Sequence, residues 1–275
     1  MKYLLFISIS FFLLFGCAVV KNKNIVYNTA NDLKLDVYSP KKTGKPKEVL
    51  VFIHGGKWIR GRKSMYRFLG KGFAKKNIVA VIVNYRLSPK GTYDSMAMHT
   101  AMAVRWVKKN ISLYQGDSNH IFVSGHSAGA HLAALIATDN SYFNTLNMKN
   151  PVKGTVLIDA FGMDMFSYLT VSRLRDSLYY CIFSCNPKTW EKASPVFYLK
   201  KEMPPFLILL GTKTNAPISK GSNDFFKALQ PFKPNTQLIL VKGKRHVGMI
   251  FQFLNPRIKP YKDIIGFMND ESKNS

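Results

Sequence analysis

Acidic residues are scarce in this chain. Its 275 residues include 15 Asp and Glu against 40 Lys and Arg, which gives a formal net charge of +25 at pH 7. A charge of this sign favours anionic partners such as lipid head groups. The basic residues are scattered, and no zinc-finger, RNA-binding aromatic or basic-helix pattern accompanies them. We therefore expect attraction to a membrane surface and no specific binding of nucleic acid.

Cysteine is also scarce, with only Cys17, Cys181 and Cys185 in the sequence. Cys181 and Cys185 lie four residues apart, a spacing that places two side chains on one face of a helix. They could pair as a disulfide in an oxidising compartment or remain two free thiols, and the sequence leaves both open. No second cluster of Cys or His completes a metal site, so we expect neither a metal nor another cofactor.

Linkers, internal repeats and low-complexity blocks are missing, which favours one domain over residues 30–269 with a short polar tail at 270–275. The chain is long enough for this domain to bury a full core. The sequence carries no indication of the oligomeric state.

The first residues resemble an export signal, because Lys2 precedes an apolar run that ends at Cys17. The run is short for a transmembrane helix, which needs about 20 apolar residues. Its end, "LFGC", resembles a bacterial lipobox, although Phe15 is bulkier than the usual residue there. We expect a signal peptide at 1–16, a lipid on Cys17 and a polar tether within 17–29, which would place the protein in a bacterial cell envelope. An ordinary signal peptide or an uncleaved anchor is the alternative.

Continuous apolar runs alternate with helical patterns along the rest of the chain. The runs are rich in Val, Ile and Leu, as expected of strands buried on both faces. They cover residues 48–56, 77–87, 120–127, 154–162, 204–212 and 236–246. Strands that alternate with helices predict an α/β fold with a doubly wound, mostly parallel sheet. The early segments 24–30 and 34–40 alternate in polarity and fit an exposed antiparallel start.

Residues 163–203 interrupt this alternation, because they mix aromatic and charged residues without a buried strand. Long excursions within a compact domain are often functional. We expect a mainly helical cap over the carboxyl edge of the sheet, with a peripheral excursion as the alternative.

The segment "GHSAG" places Ser127 between a predicted strand and a predicted helix. Gly-x-Ser-x-Gly at such a junction is the pattern of a nucleophile elbow, in which Gly125 and Gly129 relieve crowding around a strained serine. Ligands bind at the carboxyl ends of strands in open parallel sheets. We therefore predict that Ser127 is a nucleophile.

An earlier strand ends in "HGGKW", which resembles the HGGG-type loop that supplies an oxyanion donor in esterases. Lys57 stands where that pattern has its third glycine, yet it still offers a backbone N–H. We predict that the N–H groups of Gly56, Lys57 and Ala128 form an oxyanion hole. His54 is expected to support the loop and not to act as the base.

Together, "HGGKW", "NYRLSP", "AVRWVKKN" and "GHSAGAHLAAL" resemble the carboxylesterase branch of the α/β-hydrolases over about residues 30–250. That branch includes esterases similar to hormone-sensitive lipase and enzymes similar to kynurenine formamidase. The resemblance implies hydrolysis of ester or amide-like acyl bonds without a cofactor, and the chain order serine, acid, histidine. Of six histidines, only His246 lies well downstream of Ser127, after a predicted strand, so we expect it to be the base.

The acid is harder to assign, because the family usually places an aspartate where this chain has Thr214. Asp159 is the preferred candidate, since it ends an apolar strand at the same sheet edge and a charge there needs a partner. Asp164 and Asp224 are alternatives, as is the absence of any functional acid.

We therefore expect a serine hydrolase that cleaves small carboxylic esters through an acyl-enzyme intermediate. Formamidase-type amide hydrolysis is the alternative reaction. The third possibility is a catalytically weak protein of the same fold that binds a lipid or a partner at the membrane, and the threonine at position 214 is its main support.

Overall fold

A computed structural model describes residues 19–41, 44–171 and 177–273. Within them, eight strands form one sheet in the order β1-β2-β4-β3-β5-β6-β7-β8. β3 to β8 are parallel, whereas β2 pairs antiparallel with both β1 and β4. The strands are β1 (Val19–Asn28), β2 (Leu33–Pro40), β3 (Lys47–Ile53), β4 (Val79–Val83), β5 (Gly116–His126), β6 (Val152–Ile158), β7 (Phe206–Gly211) and β8 (Gln237–Val241).

Helices cover both faces of the sheet and enclose two hydrophobic cores. One core contains residues of the second and third helices, and the other contains residues of the first and tenth. The helices are α1 (Arg67–Ala74), α2 (Tyr93–Asn110), α3 (Ala128–Thr138), α4 (Ser141–Thr145), α5 (Met165–Val171), α6 (Ser177–Phe183), α7 (Pro187–Lys192), α8 (Ala216–Leu229), α9 (Gly248–Phe251) and α10 (Lys259–Lys273). The predicted α/β class and the six predicted apolar strands, which became the parallel strands β3 to β8, are confirmed.

The continuous apolar runs follow from this two-sided burial. In β3, Val49, Val51 and Ile53 face one core, whereas Leu50 and Phe52 face the other. Successive residues of a strand point to opposite faces, so a strand that is covered on both sides needs apolar residues at every position.

The predicted tether at 17–29 is wrong from Val19 onward, because those residues form β1. The "KNKN" segment pairs with β2, with Lys21 opposite Tyr38, and its two lysine side chains are exposed. The Asn24 N–H donates to the Asp36 carboxylate at 2.9 Å. An edge strand can carry polar side chains on its exposed positions while its backbone pairs with the neighbouring strand. The polar composition of this segment therefore does not prevent it from forming a strand.

The predicted polar tail at 270–275 is also shorter than expected, because α10 continues to Lys273. Met268 is fully buried one turn before that end, and the Ser272 hydroxyl donates to Glu48 at 2.7 Å. These contacts hold the last turn of α10 against the start of β3.

The insertion at 163–203 is mainly helical, as predicted. It contributes α5, α6, α7 and a 3₁₀ turn at Pro195–Tyr198. Within it, Cys181 and Cys185 are exposed free thiols. The predicted signal peptide at 1–16 and the predicted lipidation site, Cys17, lie outside the described residues. In the part of the chain that the structure covers, no helix is both long and apolar enough to cross a bilayer.

A buried ion pair joins the antiparallel edge to the loop after β3. The Lys63 ammonium lies 2.5 Å from the Asp36 carboxylate in β2, and the two side chains are 9% and 3% exposed. Lys63 also donates to the Asn24 side chain at 2.6 Å, and its backbone N–H donates to the Asn84 side chain. These bonds connect β1, β2 and the end of β4, so the pair fixes the position of the loop that leads into α1.

We predict that Lys63→Met destabilises the fold by about 3–5 kcal/mol, because it leaves the Asp36 carboxylate buried without its partner. Urea denaturation measures this loss. Lys259→Met is the matched control, since Lys259 pairs with Asp263 but is 75% exposed, and exposed pairs contribute little. Equal urea midpoints for the two variants would show that the buried pair stabilises the fold no more than the exposed pair does.

Candidate active site

A cavity of about 560 Å³ opens at the carboxyl ends of the parallel strands, between the cap and α9. Ser127 and His246 both line it, together with Gly55, Gly56 and Lys57. Aromatic and aliphatic side chains form most of the remaining wall: Met65, Tyr66, Phe68, Phe161, Tyr168, Tyr179, Ile218, Val247, Ile250 and Phe251. The cap therefore contributes to this cavity and is not a peripheral excursion.

Ser127 occupies the sharp turn between β5 and α3. Its backbone has φ 56° and ψ −122°, a conformation that non-glycine residues rarely adopt. Its N–H donates to the Ile158 carbonyl at the end of β6, at 3.1 Å. This geometry is that of a nucleophile elbow, which presents the serine side chain to the cavity.

The two glycines of "GHSAG" are required by close backbone approach. A Cβ atom on Gly125 would lie 2.3 Å from the carbonyl carbon of Gly129, and one on Gly129 would lie 2.2 Å from the carbonyl oxygen of Ile53. Any larger residue would force the turn away from β3. The two glycines thus let the start of α3 pack against the end of the neighbouring strand.

The loop after β3 brings its backbone close to Ser127. A Cβ atom on Gly55 would lie 3.3 Å from Cβ of Ser127. Gly56 and Lys57 follow on the cavity wall, and Ala128 is the first residue of α3. Two of the three predicted oxyanion donors, Gly56 and Lys57, thus line the same cavity as Ser127, and the third, Ala128, directly follows Ser127. Lys57 has φ 54°, so this lysine adopts the left-handed conformation that its glycine counterpart would prefer.

His54 and Trp58 flank the glycines of this loop in the sequence, and both are buried. His54 Nδ1 lies 3.0 Å from the Gly55 carbonyl, and the His54 carbonyl accepts a hydrogen bond from the Tyr85 hydroxyl. Burial lowers the pKa of His54 to about 4, so its ring is neutral near pH 7. Trp58 is fully buried, with its ring 4.9 Å from that of Phe183 in the cap. His54 thus supports the loop, as expected.

Asp159 and His246 meet at the wall of the cavity. His246 Nδ1 lies 2.9 Å from Asp159 Oδ2, and the aspartate side chain is fully buried whereas the histidine is 20% exposed. Asp159 directly follows β6, and His246 lies in the loop after β8. The carboxylate fixes the proton of His246 on Nδ1, which leaves Nε2 as the atom that can accept a proton.

Thr214 contributes a hydrogen bond at the position where the acid was expected. Its hydroxyl donates to Asp159 Oδ2, the oxygen that also contacts His246. The Gly211 N–H donates to Asp159 Oδ1 at 2.8 Å. The carboxylate therefore has a partner at each oxygen, and the threonine solvates an acid that is supplied by the neighbouring strand.

The other two candidate acids are engaged elsewhere. Asp164 accepts a hydrogen bond from the Ser167 N–H at the start of α5, and Asp224 pairs with Lys220 within α8 at 2.5 Å. Among the described hydrogen bonds and ion pairs, Asp159 is the carboxylate that contacts His246.

His126 is a neighbour of His246 that the sequence did not single out. Its ring lies 4.5 Å from the His246 ring at an interplanar angle of 26°, and its Nε2 is 3.1 Å from the His246 carbonyl oxygen. The signal was present in the sequence, because His126 is the last residue of the strand that presents Ser127. Within the described part of the chain, no hydrogen bond joins the Ser127 hydroxyl to His246.

Curated proteins similar to this chain include a methylesterase and a formamidase. The chain is 30% identical over 248 residues to isoprenylcysteine alpha-carbonyl methylesterase ICME of Arabidopsis thaliana, which covers 84% of this chain and 57% of the relative. It is 27% identical over 208 residues to kynurenine formamidase of Salmo salar, and this match covers 75% of this chain and 68% of the relative. The chain spans a little over half the length of the plant relatives.

Solved structures show the same fold. Esterase B of Lactobacillus rhamnosis matches with a TM-score of 0.79 at 18% identity, over 93% of this chain and 87% of that one. The architecture is thus the α/β-hydrolase fold, as predicted. The BD-FAE family model matches residues 35–229, from β2 through the end of α8. The chain therefore belongs to the BD-FAE family.

Proposed function

We propose that this protein is a carboxylic ester hydrolase in which Ser127 is the nucleophile, His246 the general base and Asp159 the residue that orients His246. The observation that carries the proposal is the 2.9 Å contact of the buried Asp159 with His246, which lines one cavity together with the strained Ser127. The names of the relatives and of the solved structures describe esterases and a formamidase, which supports acyl transfer as the reaction class.

In the first half of the reaction, the Ser127 hydroxyl attacks the acyl carbon while His246 Nε2 takes its proton. The attack requires the hydroxyl to move within hydrogen-bonding distance of Nε2, since catalytic hydrogen bonds often tighten only when substrate is bound. The carbonyl oxygen becomes an oxyanion that accepts hydrogen bonds from the N–H groups of Gly56, Lys57 and Ala128. When the tetrahedral intermediate collapses, His246 gives the proton to the leaving alkoxide, and an alcohol departs.

In the second half, water attacks the ester between Ser127 and the acyl group. His246 takes a proton from the water and returns it to the serine oxygen, so that a carboxylic acid and free Ser127 are released. In both halves His246 becomes positively charged, and the buried Asp159 carboxylate stabilises that charge. The bonds from Gly211 and Thr214 hold the carboxylate in place without neutralising it.

The cavity wall supports a substrate class for this proposal. Its aromatic and aliphatic lining and its volume of about 560 Å³ fit a small ester with an apolar acyl or aryl group. A formamidase remains the second candidate, because one relative carries that name. A higher kcat/KM for an aryl formamide than for p-nitrophenyl butyrate would reverse this order.

The hypothesis that this protein is a catalytically weak binding protein has less support. Its main argument was the threonine at position 214, and that threonine donates a hydrogen bond to the acid of the neighbouring strand. Because Asp159 contacts His246, the absence of an aspartate at position 214 does not argue for a weakened site.

We also propose that the chain is a lipoprotein of the bacterial cell envelope, anchored through Cys17. β1 runs in the same direction as the parallel strands, so Val19 lies at the amino edge of the sheet, opposite the cavity. A groove at the same edge presents positive charges that suit anionic head groups. The basic residues that line it are Arg105, Lys108, Lys109, Lys149 and Lys153.

Ser127→Ala is expected to lower kcat for p-nitrophenyl butyrate by about 10⁶-fold, because no other nucleophile replaces the serine. Labelling by a fluorophosphonate probe should be lost in the same variant. Residual turnover close to that of the wild type would remove Ser127 from the mechanism.

Asp159→Asn is expected to lower kcat by about 10⁴-fold, since an amide neither fixes the His246 tautomer nor stabilises its charge. The double variant Asp159→Asn/Thr214→Asp should recover part of this loss, because residue 214 already contacts the side chain at position 159. Steady-state kinetics measure both effects. A single Asp159→Asn variant with wild-type kcat would show that the acid lies elsewhere.

Cys17→Ser is expected to abolish incorporation of radiolabelled palmitate by bacteria that express the full chain. The same cells should release the variant from the membrane fraction more readily than the wild type, since one acyl chain adds hydrophobic binding energy. Equal labelling of both proteins would contradict the lipid anchor and would leave the catalytic proposal untouched.

A further inference from the structure

His126 contacts His246 on a side that the triad does not use. Its ring stacks against the His246 ring with centroids 4.5 Å apart, and its Nε2 approaches the His246 carbonyl oxygen at 3.1 Å. The proposed mechanism assigns no role to either contact. Both come from the residue that directly precedes the nucleophile.

The hydrogen bond fixes the tautomer of His126. A backbone carbonyl oxygen can only accept, so Nε2 of His126 must carry the proton that is donated. Burial, together with the nearby charge of His246, lowers the pKa of His126 to about 4. The ring is therefore neutral near pH 7 and adds no positive charge beside His246 when that residue is protonated during turnover.

His246 needs such support because its loop is poorly covered. Arg245 and Val247, on either side of it, are both exposed, and Val247 is 57% exposed. Asp159 contacts Nδ1 of the His246 ring. His126 contacts one ring face and donates to the His246 carbonyl oxygen, which also accepts from the Met249 N–H at 3.3 Å. His126 and Asp159 come from the ends of adjacent strands, β5 and β6, so the rigid sheet places both contacts.

We propose that His126 is a positioning residue that holds His246 in the geometry needed for proton transfer. The proposal rests on the proposed function, because it presumes that His246 is the base. Displacement of a reacting group by about 1 Å can cost about 10²-fold in rate. His126 lines the cavity but is only 6% exposed, so it offers a substrate little surface to bind. The role therefore predicts a loss in kcat with an unchanged KM.

Three substitutions separate the two contacts. His126→Ala removes the hydrogen bond and the ring, His126→Phe keeps a ring without a donor, and His126→Gln keeps an N–H donor without a ring. With p-nitrophenyl butyrate, we expect kcat to fall about 100-fold for alanine and about 10-fold for each of the other two, with KM within about twofold of the wild type.

His131→Ala is the matched control, because His131 is a second buried histidine whose Nε2 lies near a carbonyl, that of Ala193 at 2.7 Å. It should lower the melting temperature as much as His126→Ala but leave kcat of the folded protein within about twofold. Circular dichroism at the assay temperature verifies that each variant is folded. The glutamine and phenylalanine variants test the proposal if the alanine variant does not fold.

The positioning role is overturned if folded His126→Ala, or both conservative variants, keep wild-type kcat, or if the loss appears in KM. Failure of the proposed function is a separate result, since Ser127→Ala would then retain activity. Inactive Ser127→Ala together with fully active His126→Ala would reject only the role of His126.

Discussion

A single buried carboxylate organises the carboxyl edge of this sheet. Asp159 follows β6, yet its oxygens accept hydrogen bonds from Gly211 at the end of β7, from Thr214 beyond it and from His246 after β8. A carboxylate without water is costly unless it is fully hydrogen-bonded. The arrangement of the three neighbouring loops that satisfies the Asp159 carboxylate is therefore strongly favoured. These loops contribute to the wall of the cavity.

Much of the fold was predictable because burial on both faces leaves a clear sequence pattern. The apolar runs located all six parallel strands, and "GHSAG" located the elbow, since its close backbone contacts exclude larger residues at Gly125 and Gly129. His246 followed from chain order. Polar residues of an edge strand carry no such pattern, and "KNKN" therefore read as a tether, although its backbone pairs with β2.

The relations between loops could not be predicted in the same way. The bond from Thr214 to Asp159 joins residues 55 positions apart, and the stack of His126 on His246 joins residues 120 positions apart. Such contacts depend on which strands become neighbours and on where each loop turns. From the sequence, Thr214 indicated a missing acid. In the structure, it donates a hydrogen bond to Asp159, the acid that follows the neighbouring strand β6.

The first strand, β1, also sets the distance between the amino edge of the sheet and the edge that carries the cavity. β1 has ten residues and runs from the amino edge of the sheet toward the cavity edge, which corresponds to about 30 Å of extended chain. A lipid on Cys17, two residues before β1, would leave almost no slack between bilayer and sheet. With the proposed lipid anchor, the cavity would face away from the bilayer, and its esters would arrive from the aqueous side.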